Sequence, residues 1–380
     1  MTLRVAVVHE WLTTYAGSEK VVEQILKIFP QAELFVLVDF LDDKKRALFG
    51  GRRPSTSFIQ HLPRAKKHYR NYLPLMPLAI EQFDLTGYDL VISSSHAVAK
   101  GVITGPNQTH ISYVHSPMRY AWDLQHQYLR ESRLNKGVKA WIARICLHYL
   151  RIWDVRTAHG VDQFIANSNY IARRIRKAYG KESVVVYPPV DIEHFKLNRH
   201  KENFFLAASR MAPYKCMPMI AEAFAGMPDK TLIMIGDGPE FETVQRIAEK
   251  AANIKLLGYQ TDAELADYMG RARAFVFAAE EDFGIMPVEA QACGTPVIAY
   301  AAGGALETVI ADSDPETRTG LFFDKQSTDA LKSAVDKFES MGEFLPDICR
   351  ANAERFSQQI FIAAFIQVLN STIQTQKLEI

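Results

Sequence analysis

Apolar residues occur along this chain in short runs of strand length, and segments with helical apolar spacing lie between them. Leu3–Val8 is the first such run, and an almost uninterrupted apolar strand is typical of a parallel sheet covered on both faces. Further strands are predicted at Leu34–Val38, Leu90–Ser93, His110–Val114 and Gln163–Ala166. Strands that alternate with helices in this way predict a doubly wound α/β domain.

A second series of the same kind follows two adjacent prolines, Pro188 and Pro189, which interrupt regular structure. Its strands are predicted at Phe204–Ala208, Thr231–Ile235, Ile254–Leu257, Ala274–Phe277, Pro296–Tyr300 and Gly320–Phe323. We therefore predict two Rossmann-like domains, residues 1–188 and 189–354, with residues 355–380 forming a closing helix. Such a pair would hold a ligand in the crevice at the carboxyl ends of its strands.

The turn after Ala274–Phe277 carries the clearest candidate chemistry. It reads EEDFGIMPVEA from Glu280, and Pro287 suits the first turn of a following helix. Amide groups at a helix N-terminus favour a phosphate. The acids Glu281 and Glu289 are poor phosphate ligands, and they would instead accept hydrogen bonds from sugar and ribose hydroxyl groups. Two solvated carboxylates are the alternative interpretation.

Four more residues lie where a predicted strand or loop ends. Arg210 and Lys215 follow the first strand of the second domain and could both reach a diphosphate, although surface charge is the alternative. Gly17, where a loop enters a helix, would let the backbone approach a diphosphate, unless it only forms a turn. His115 follows a strand at the crevice end, where a structural role is the alternative.

The run from Glu281 to Glu307, EDFGIMPVEAQACGTPVIAYAAGGALE, resembles the C-terminal signature of family 4 retaining glycosyltransferases. The resemblance extends over nearly the whole chain. It implies the GT-B fold, in which two Rossmann-like domains face each other across a cleft and the last helix packs back toward the N-terminal domain. It also implies that Arg210 and Lys215 clamp the diphosphate and that Glu289 holds the ribose. The donor sugar would be bound by Glu281 and its neighbours Phe283, Gly284, Ile285 and Met286.

The resemblance extends to three other places. It implies that His115 lies near the donor sugar and its developing positive charge. It puts the nucleotide base at Gly236 and Tyr259, in turns that could equally be ordinary strand ends. At Gly17 the family has a glycine pair, and this chain has Ala16 in place of the first glycine.

Within Tyr113–Asp123, the string SPMRYAWD from Ser116 to Asp123 resembles a narrower group, the bacterial mannosyltransferases that build O-antigen and exopolysaccharide. It implies a GDP-mannose donor, a polyprenyl-diphosphate-linked oligosaccharide acceptor and a retained α configuration. No carboxylate pair flanks a bond as in retaining hydrolases, so we expect front-face transfer without a covalent intermediate. Three alternatives stay open: a UDP-linked donor, a nucleotide-sugar epimerase, and a non-catalytic subunit of a polysaccharide assembly.

Two basic and aromatic stretches bear on a membrane. Arg64–Leu78 is either a solvated loop or a surface that docks on anionic lipid headgroups, and we favour docking because the resembling enzymes act on lipid-linked glycans. Lys136–Trp153 has helical spacing, and core packing is expected to account for most of its apolar residues.

Composition narrows the class further. The net charge of +1 gives the 380-residue chain no global attraction to nucleic acid. Its four cysteines, Cys146, Cys216, Cys293 and Cys349, lack paired spacing and are predicted to be reduced, buried thiols. Leu3–Val8 is too short for a signal peptide, and no apolar run reaches the ~18 residues of a membrane span.

These features predict a cytoplasmic protein, peripheral on the inner face of the membrane, with other polysaccharide-assembly enzymes as candidate partners. Asp312-Ser313-Asp314 fits the pattern by which some glycosyltransferases hold a divalent metal. Because Arg210 and Lys215 already supply positive charge to a leaving diphosphate, we interpret the triplet as a surface turn. We predict no metal and no cofactor beyond the donor.

Overall fold

The computed structural model describes residues 3–132, 134 and 136–378. The chain falls into two compact units: unit 1 comprises residues 1–188 and 361–380, and unit 2 comprises residues 189–360. Each unit contains one parallel sheet with helices on both faces, so the predicted pair of Rossmann-like α/β units is confirmed.

Unit 1 is built on a seven-stranded sheet in the order β3-β2-β1-β4-β5-β6-β7, with every neighbouring pair parallel. Its strands are β1 Val5–Leu12, β2 Glu33–Asp39, β3 Ser55–Thr56, β4 Leu90–Ser95, β5 Thr109–Val114, β6 Gln163–Ala166 and β7 Val184–Val185. Its helices before the prolines are α1 Gly17–Ile28, α2 Asp43–Arg46, α3 Ala65–His68, α4 Met76–Glu81, α5 Gln125–Glu131, α6 Gly137–Thr157 and α7 Asn169–Tyr179. Short 3-10 helices span Ala47–Phe49, Phe58–His61, Tyr69–Leu75, Ala99–Gly101 and Ala158–Gly160.

Unit 2 is built on a six-stranded sheet in the order β10-β9-β8-β11-β12-β13, again parallel throughout. Its strands are β8 Phe205–Ala208, β9 Leu232–Ile235, β10 Ile254–Gly258, β11 Ala274–Phe277, β12 Val297–Tyr300 and β13 Gly320–Phe323. Its helices are α8 Met217–Ala225, α9 Phe241–Ala248, α10 Asp262–Arg271, α11 Ile285–Ala292, α12 Ala305–Thr308, α13 Thr328–Ser340 and α14 Pro346–Glu354, with a 3-10 helix at Pro213–Lys215.

The two faces of the first sheet bury separate cores, because successive side chains of a strand point to opposite faces. Val5 and Val7 of β1 pack with Val21 and Ile25 of α1 on one face. The other face buries Ala6 and Val8 together with residues of α4 and α6, including Met76, Leu147 and Leu150. Apolar runs without polar alternation are therefore what this two-faced sheet requires.

The last helix, α15 Gln358–Leu378, contributes to the core of unit 1. Phe361 and Phe365 are one turn apart and fully buried, and the Phe361 ring lies 5.9 Å from the ring of Tyr113 on β5. Val368 and Leu369 extend the same contact by another turn. The hydrophobic core of unit 1 thus includes residues that follow unit 2 in the sequence.

The expectation that core packing accounts for most apolar residues of Lys136–Trp153 is wrong for one face of α6. Leu147 and Leu150 are buried, but Val138 and Trp141 are 75% and 66% exposed. Helical spacing identified the helix correctly and could not show that its second apolar face is largely exposed.

Arg64–Leu78 is helical rather than an irregular loop: it comprises α3, the 3-10 helix Tyr69–Leu75 and the start of α4. Tyr69 and Met76 anchor it in the core of unit 1, while Leu75 and Leu78 are exposed. Its docking on lipid stays a prediction.

All four cysteines are free thiols. Cys293 and Cys349 are buried as predicted, whereas Cys146 and Cys216 are half-buried. In the part of the chain that is described, no helix is both long and apolar enough to cross a bilayer.

Candidate active site

In both sheets the strand order reverses beside the first strand of the unit, between β1 and β4 and between β8 and β11. In open α/β sheets, ligands bind at the carboxyl ends of the strands flanking such a switch point. The polar residues that follow β8 and β11 in unit 2, and those that end β1, β4 and β5 in unit 1, are therefore the candidates to consider.

Lys215 and Glu281 meet at the switch point of unit 2. Lys215 ends the 3-10 helix that follows β8, Glu281 lies in the loop that follows β11, and their side chains form an ion pair. The two side chains are 13% and 20% exposed, so the pair is shielded but still reachable from solvent. The adjacent Arg210 is exposed. Two predicted diphosphate ligands and one predicted sugar ligand thus share one end of one sheet.

Helix α8 begins in an unusual way directly after Lys215. Cys216 has a left-handed backbone with φ of 55°, and Pro218 lies in the first turn of α8, where its missing N–H costs nothing. The left-handed residue turns the chain sharply between the lysine and the helix. The backbone direction that follows Lys215 is consequently set by this turn.

The loop that carries Glu281 is held by two glycines of the loop after β12. Gly304 donates its N–H to the carbonyl oxygen of Glu281 at 2.8 Å. A Cβ on Gly303 would overlap that same oxygen, and a Cβ on Gly304 would overlap the backbone of Phe283. Only glycine lets the two loops pack backbone to backbone, so these residues set the position of Glu281.

Gly284 leads from this loop into α11. Its φ of 79° is left-handed, and it stands immediately before Ile285 and Met286, whose backbone amides open the helix. Glu289 lies one turn further along α11 and is buried. The amide groups predicted to bind phosphate and the acid predicted to bind ribose therefore belong to one short helix.

The two residues expected at the nucleotide base differ in character. Gly236 has a φ of 134°, and a Cβ there would overlap the carbonyl oxygen of Ser209 in the loop after β8. This contact alone requires glycine, so the residue type is explained by packing of the two loops. Tyr259, at the end of β10, is 77% exposed. Their contact with a base stays a prediction.

In unit 1, His115 is held by a chain of buried polar groups. Its Nε2 lies 2.8 Å from the hydroxyl of Ser94, which lies 3.1 Å from Nδ1 of His9. His9 Nε2 lies 3.5 Å from a carboxylate oxygen of Glu19 in the first turn of α1. Asn167 donates to the carbonyl oxygen of His115 at 3.1 Å, which fixes its backbone as well.

The series of polar contacts from Glu19 to His115 bears on the tautomer of His115. The Ser94 carbonyl oxygen lies 3.2 Å from His9 Nδ1 and the Glu19 carboxylate lies 3.5 Å from His9 Nε2, and each can only accept, so each favours a proton on the nitrogen that it faces. With a proton on His9 Nδ1, the Ser94 hydroxyl is left to donate to His115 Nε2, and His115 then carries its own proton on Nδ1. Burial, aided by the nearby rings of His96 and His9, holds the pKa of His115 well below its usual value, so the imidazole is neutral at neutral pH.

Glu19 also closes the loop at Gly17. It accepts hydrogen bonds from the backbone N–H of Ala16 and the hydroxyl of Ser18, both at 3.0 Å. Burial raises the pKa of Glu19, but the hydrogen bond and charge of His9 outweigh this effect and the pKa is lowered overall. Gly17 is the first residue of α1. The helix N-terminus predicted to face a diphosphate is therefore already braced by a carboxylate.

Sequence reasoning missed the polar chain of His9, Ser94 and Glu19, and the glycines Gly303 and Gly304. The polar chain could have been suspected from His9, which lies inside an apolar strand, and from Glu19, which lies in the first turn of the next helix. The close packing at Gly303 and Gly304 could have been suspected from the two adjacent glycines that follow β12.

Trp122 and Asp123, which carry the narrower resemblance, make contacts within unit 1. The indole N–H of Trp122 donates to Asp154 at 2.8 Å, and Asp154 forms a buried ion pair with Lys100 at 2.6 Å. Asp123 pairs with Arg174. Both residues therefore brace the segment that follows His115.

The Asp312-Ser313-Asp314 triplet is exposed, and its acids cap their own loop: Asp312 accepts from the N–H of Asp314 at 3.3 Å, and Asp314 from that of Glu316 at 2.9 Å. This is the surface turn that the sequence indicated. Independence from metal stays a prediction.

Comparison with known proteins gives two adjoining family matches. Residues 15–194 match the family model described as Glycosyltransferase Family 4. Residues 189–356 match the one described as Glycosyl transferases group 1. Together they extend over both units.

Two relatives have names that specify a donor. The chain is 29% identical over 227 residues to a Mycolicibacterium smegmatis protein named GDP-mannose-dependent alpha-(1-6)-phosphatidylinositol monomannoside mannosyltransferase, covering 52% of this chain and 56% of that protein. It is 30% identical over 204 residues to a Corynebacterium glutamicum protein named GDP-mannose-dependent monoacylated alpha-(1-6)-phosphatidylinositol monomannoside mannosyltransferase, covering 46% and 52%. The chain thus matches about half the length of these curated relatives.

Among solved structures, the chain is similar to HepE from Anabaena in complex with UDP, with a TM-score of 0.68 and 18% identity over 97% of this chain and 100% of that one. At that identity the likeness shows the fold alone.

Proposed function

The chain belongs to glycosyltransferase family 4 and has the GT-B fold, and from that premise we propose that it is a retaining α-mannosyltransferase that uses GDP-mannose. The acceptor that we propose is a polyprenyl-diphosphate-linked oligosaccharide of O-antigen or exopolysaccharide synthesis. The enzyme class follows from family membership. The donor and acceptor are supported by the sequence resemblance around His115 and by two distant relatives that are named GDP-mannose-dependent and that act on a mannolipid.

The observation that carries the proposal is the ion pair between Lys215 and Glu281 at the switch point of the second sheet. A lysine beside a carboxylate and a helix N-terminus can receive a diphosphate that carries a sugar. We propose that the diphosphate replaces Glu281 as the partner of Lys215. Glu281 is thereby released to accept hydrogen bonds from the sugar hydroxyl groups.

The chemical problem of the reaction is to expel a nucleoside diphosphate while positive charge builds on the sugar. Arg210 and Lys215 would stabilise the departing charge together with the amides of Ile285 and Met286 and the loop at Gly17. Preorganised electrostatic groups of this kind commonly supply the largest share of catalysis. Glu289 would hold the ribose.

His115 would support the donor sugar as a neutral imidazole, because a buried cation there would oppose the charge that develops on the sugar. We propose that transfer occurs on the front face, with the leaving phosphate helping to deprotonate the acceptor hydroxyl. Mass-spectrometric detection of a covalent glycosyl-enzyme during turnover would refute this mechanism.

We place the protein in the cytoplasm, peripheral on the inner face of the cytoplasmic membrane, where a lipid-linked acceptor is accessible. Arg64–Leu78, with its exposed cations and exposed Leu75 and Leu78, is one proposed contact with lipid. The reaction as proposed needs no metal, and other polysaccharide-assembly enzymes are the proposed protein partners.

The deciding experiment compares nucleotides directly. Isothermal titration of the full chain with GDP and with UDP should give tighter binding of GDP, and turnover of GDP-mannose with a synthetic lipid-linked acceptor should release GDP. Product analysis should find an α-linked mannose. Preferential binding of UDP would overturn the donor assignment, and no nucleotide release in the presence of acceptor would overturn the enzyme assignment.

A further inference from the structure

Helix α6 has two apolar faces, and only one of them is packed. Ala140, Leu147 and Leu150 point into unit 1 with Asp154 and Thr157. The opposite face carries Val138, Trp141, Ile142, Ile145, Tyr149 and Ile152, at spacings of i, i+3, i+4, i+7, i+11 and i+14. These spacings define one continuous stripe along a helix. We call these six residues the apolar stripe.

Five of the six residues of the apolar stripe are exposed, and Ile145 near its middle is half-buried. Ile142, Tyr149 and Ile152 are 52%, 66% and 54% exposed, and Val138 and Trp141 are more than half exposed as well. Single exposed apolar residues are ordinary, but a contiguous row of large ones marks an interaction surface. An outward helix face would otherwise be polar.

The exposed ionisable residues that α6 and its N-cap place beside the stripe are all basic. Lys136 and Lys139 are exposed at the start of α6, and Arg144 and His148 are exposed beside the stripe. The only acid in Gly137–Thr157 is Asp154, which is buried against Lys100. The exposed part of α6 therefore combines apolar and cationic groups without a carboxylate, which complements an anionic, partly apolar surface.

We propose that the apolar stripe docks α6 flat on an anionic lipid surface. Trp141 and Tyr149 are the aromatic types that favour the membrane interface, and the flanking lysines would reach lipid phosphates. The helix is not apolar enough to span a bilayer, so it lies on the surface instead. The proposal rests on the proposed function only in that a lipid-linked acceptor supplies a reason for docking.

A second copy of this chain is a poorer occupant. A two-fold interface would place the same patch against itself. The lysines and Arg144 around one stripe would then approach their own copies, and like charges at close range are unfavourable in an interface. Lipid headgroups neutralise these cations, and acyl chains cover the stripe.

Helix α6 also contacts α4, the helix that begins within the Arg64–Leu78 segment. Glu81, at the end of α4, accepts from the indole N–H of Trp153 at 2.7 Å and from Arg156 at 2.6 Å. Helix α4 contains the exposed Leu78. The exposed apolar residues of α4 and α6 thus belong to neighbouring helices of unit 1.

The test is sedimentation of the full chain with vesicles of phosphatidylglycerol and phosphatidylcholine in equal parts. The triple variant Trp141→Ala, Tyr149→Ala, Ile152→Ala keeps strong helix formers in α6 and should lower the partition coefficient by at least about tenfold. The matched control is Leu48→Ala with Val184→Ala, two exposed apolar residues of unit 1 outside α6, which should bind like the wild type. Equal binding by the triple variant and the wild type would overturn the proposal.

A charge variant separates the two contributions. Lys136→Gln with Lys139→Gln should weaken binding to the anionic vesicles by about fivefold for each cation and leave binding to pure phosphatidylcholine unchanged. Equal losses on both vesicle types would contradict the electrostatic part.

A spectroscopic readout identifies the docking face itself. Trp141 is the most exposed of the four tryptophans, so vesicles with brominated acyl chains should quench the fluorescence of the bound protein. Trp141→Phe should remove most of this quenching while vesicle binding persists. Unchanged quenching in that variant would show that another face is docked.

Two further measurements keep the outcomes distinct. If the wild type is a dimer by sedimentation velocity and the triple variant is a monomer, a second copy occupies the stripe and the lipid proposal is wrong. GDP affinity should be the same in all variants. Vesicle binding through α6 without sugar transfer would contradict only the proposed function. Sugar transfer to a water-soluble acceptor without vesicle binding would contradict only the proposal that α6 docks on lipid.

Discussion

The ends of the two sheets carry polar groups of different kinds. In unit 1 the polar groups of Glu19, His9 and Ser94 are buried and contact one another, and they lead to the half-buried His115, a neutral imidazole. In unit 2 the corresponding end carries the Lys215–Glu281 ion pair and the exposed Arg210, in loops whose backbones are brought close by glycine.

The difference indicates a division of labour. A closed hydrogen-bond chain holds one side chain in one orientation and protonation state. An ion pair beside helix amides can exchange its internal partner for a charged ligand, because the lysine then has an anionic partner both before and after the ligand binds. We therefore expect unit 1 to contribute position and unit 2 to contribute charge.

The largest effect is expected from removing charge in unit 2. Lys215→Ala and Arg210→Ala should each lower turnover at least about a hundredfold, because each removes a proposed electrostatic partner of the leaving diphosphate. Steady-state kinetics with GDP-mannose measures the loss. Lys255→Ala, an exposed lysine on β10, is the control and should keep near-normal turnover. Near-normal rates in both test variants would refute the diphosphate clamp.

The buried histidines of unit 1 should make the protein sensitive to acid. Burial lowers the pKa of His110 to about 4. Its Nδ1 lies 3.1 Å from the carbonyl oxygen of Gly160, and its Nε2 lies 2.9 Å from the hydroxyl of Ser93. Between pH about 6.5 and about 4, His110 binds a proton in the unfolded chain and stays unprotonated in the folded state. The free energy of unfolding should therefore fall between pH about 6.5 and about 4, by up to about 3 kcal/mol from His110 alone.

Urea unfolding across this pH range checks the sign and the residue. His110→Asn is expected to be less stable at neutral pH and to show a shallower fall on acidification. His200→Asn, which removes an exposed imidazole, should keep the wild-type slope. An unaltered slope in His110→Asn would show that other groups cause the acid sensitivity.

The glycine contacts of unit 2 should tolerate no side chain. In Gly304→Ala the new methyl group would overlap the backbone of Phe283, so the loops after β11 and β12 must separate. We expect the free energy of unfolding to fall by about 2 kcal/mol and nucleotide affinity to fall with it. Gly160→Ala is the matched control, because nothing lies within 4 Å of its new Cβ. Equal stability of the two variants in chemical denaturation would contradict the packing argument.

The fold could be predicted from the sequence because most of the buried strands contain an apolar run that stands out from the polar residues around it. Gln163–Ala166, Ala274–Phe277 and Gly320–Phe323 were predicted with the bounds that the structure has. The strands Ser55–Thr56 and Val184–Val185 were not predicted, because two residues are too few to form an apolar pattern.

The site could be predicted only in part. The adjacency of β8 and β11 brings Lys215 and Glu281 together across 66 positions of sequence, and a motif can name both residues without showing that they pair. The chain through His9 and Ser94 joins two strands 85 positions apart, and no local pattern reports such a contact. Periodicity likewise found α6 but could not show which of its apolar faces is covered.

The smallest expected effect concerns the orientation of His115, and it tests whether unit 1 works by position. Ser94→Ala removes the hydroxyl that lies 2.8 Å from His115 Nε2 and leaves the histidine free to change tautomer. Because charge at the diphosphate is untouched, we expect kcat to fall about tenfold with little change in KM. Ser112→Ala, on the neighbouring strand β5, is the control, since the Ser112 hydroxyl is buried without a hydrogen-bond partner among the described residues. Nitrogen chemical shifts of His115 should report the tautomer directly, with a shift toward the other form in Ser94→Ala alone. If both serine variants lost the same activity, or if the tautomer stayed as in the wild type, the hydrogen-bond chain would be structural support and the contrast between the two units would fail.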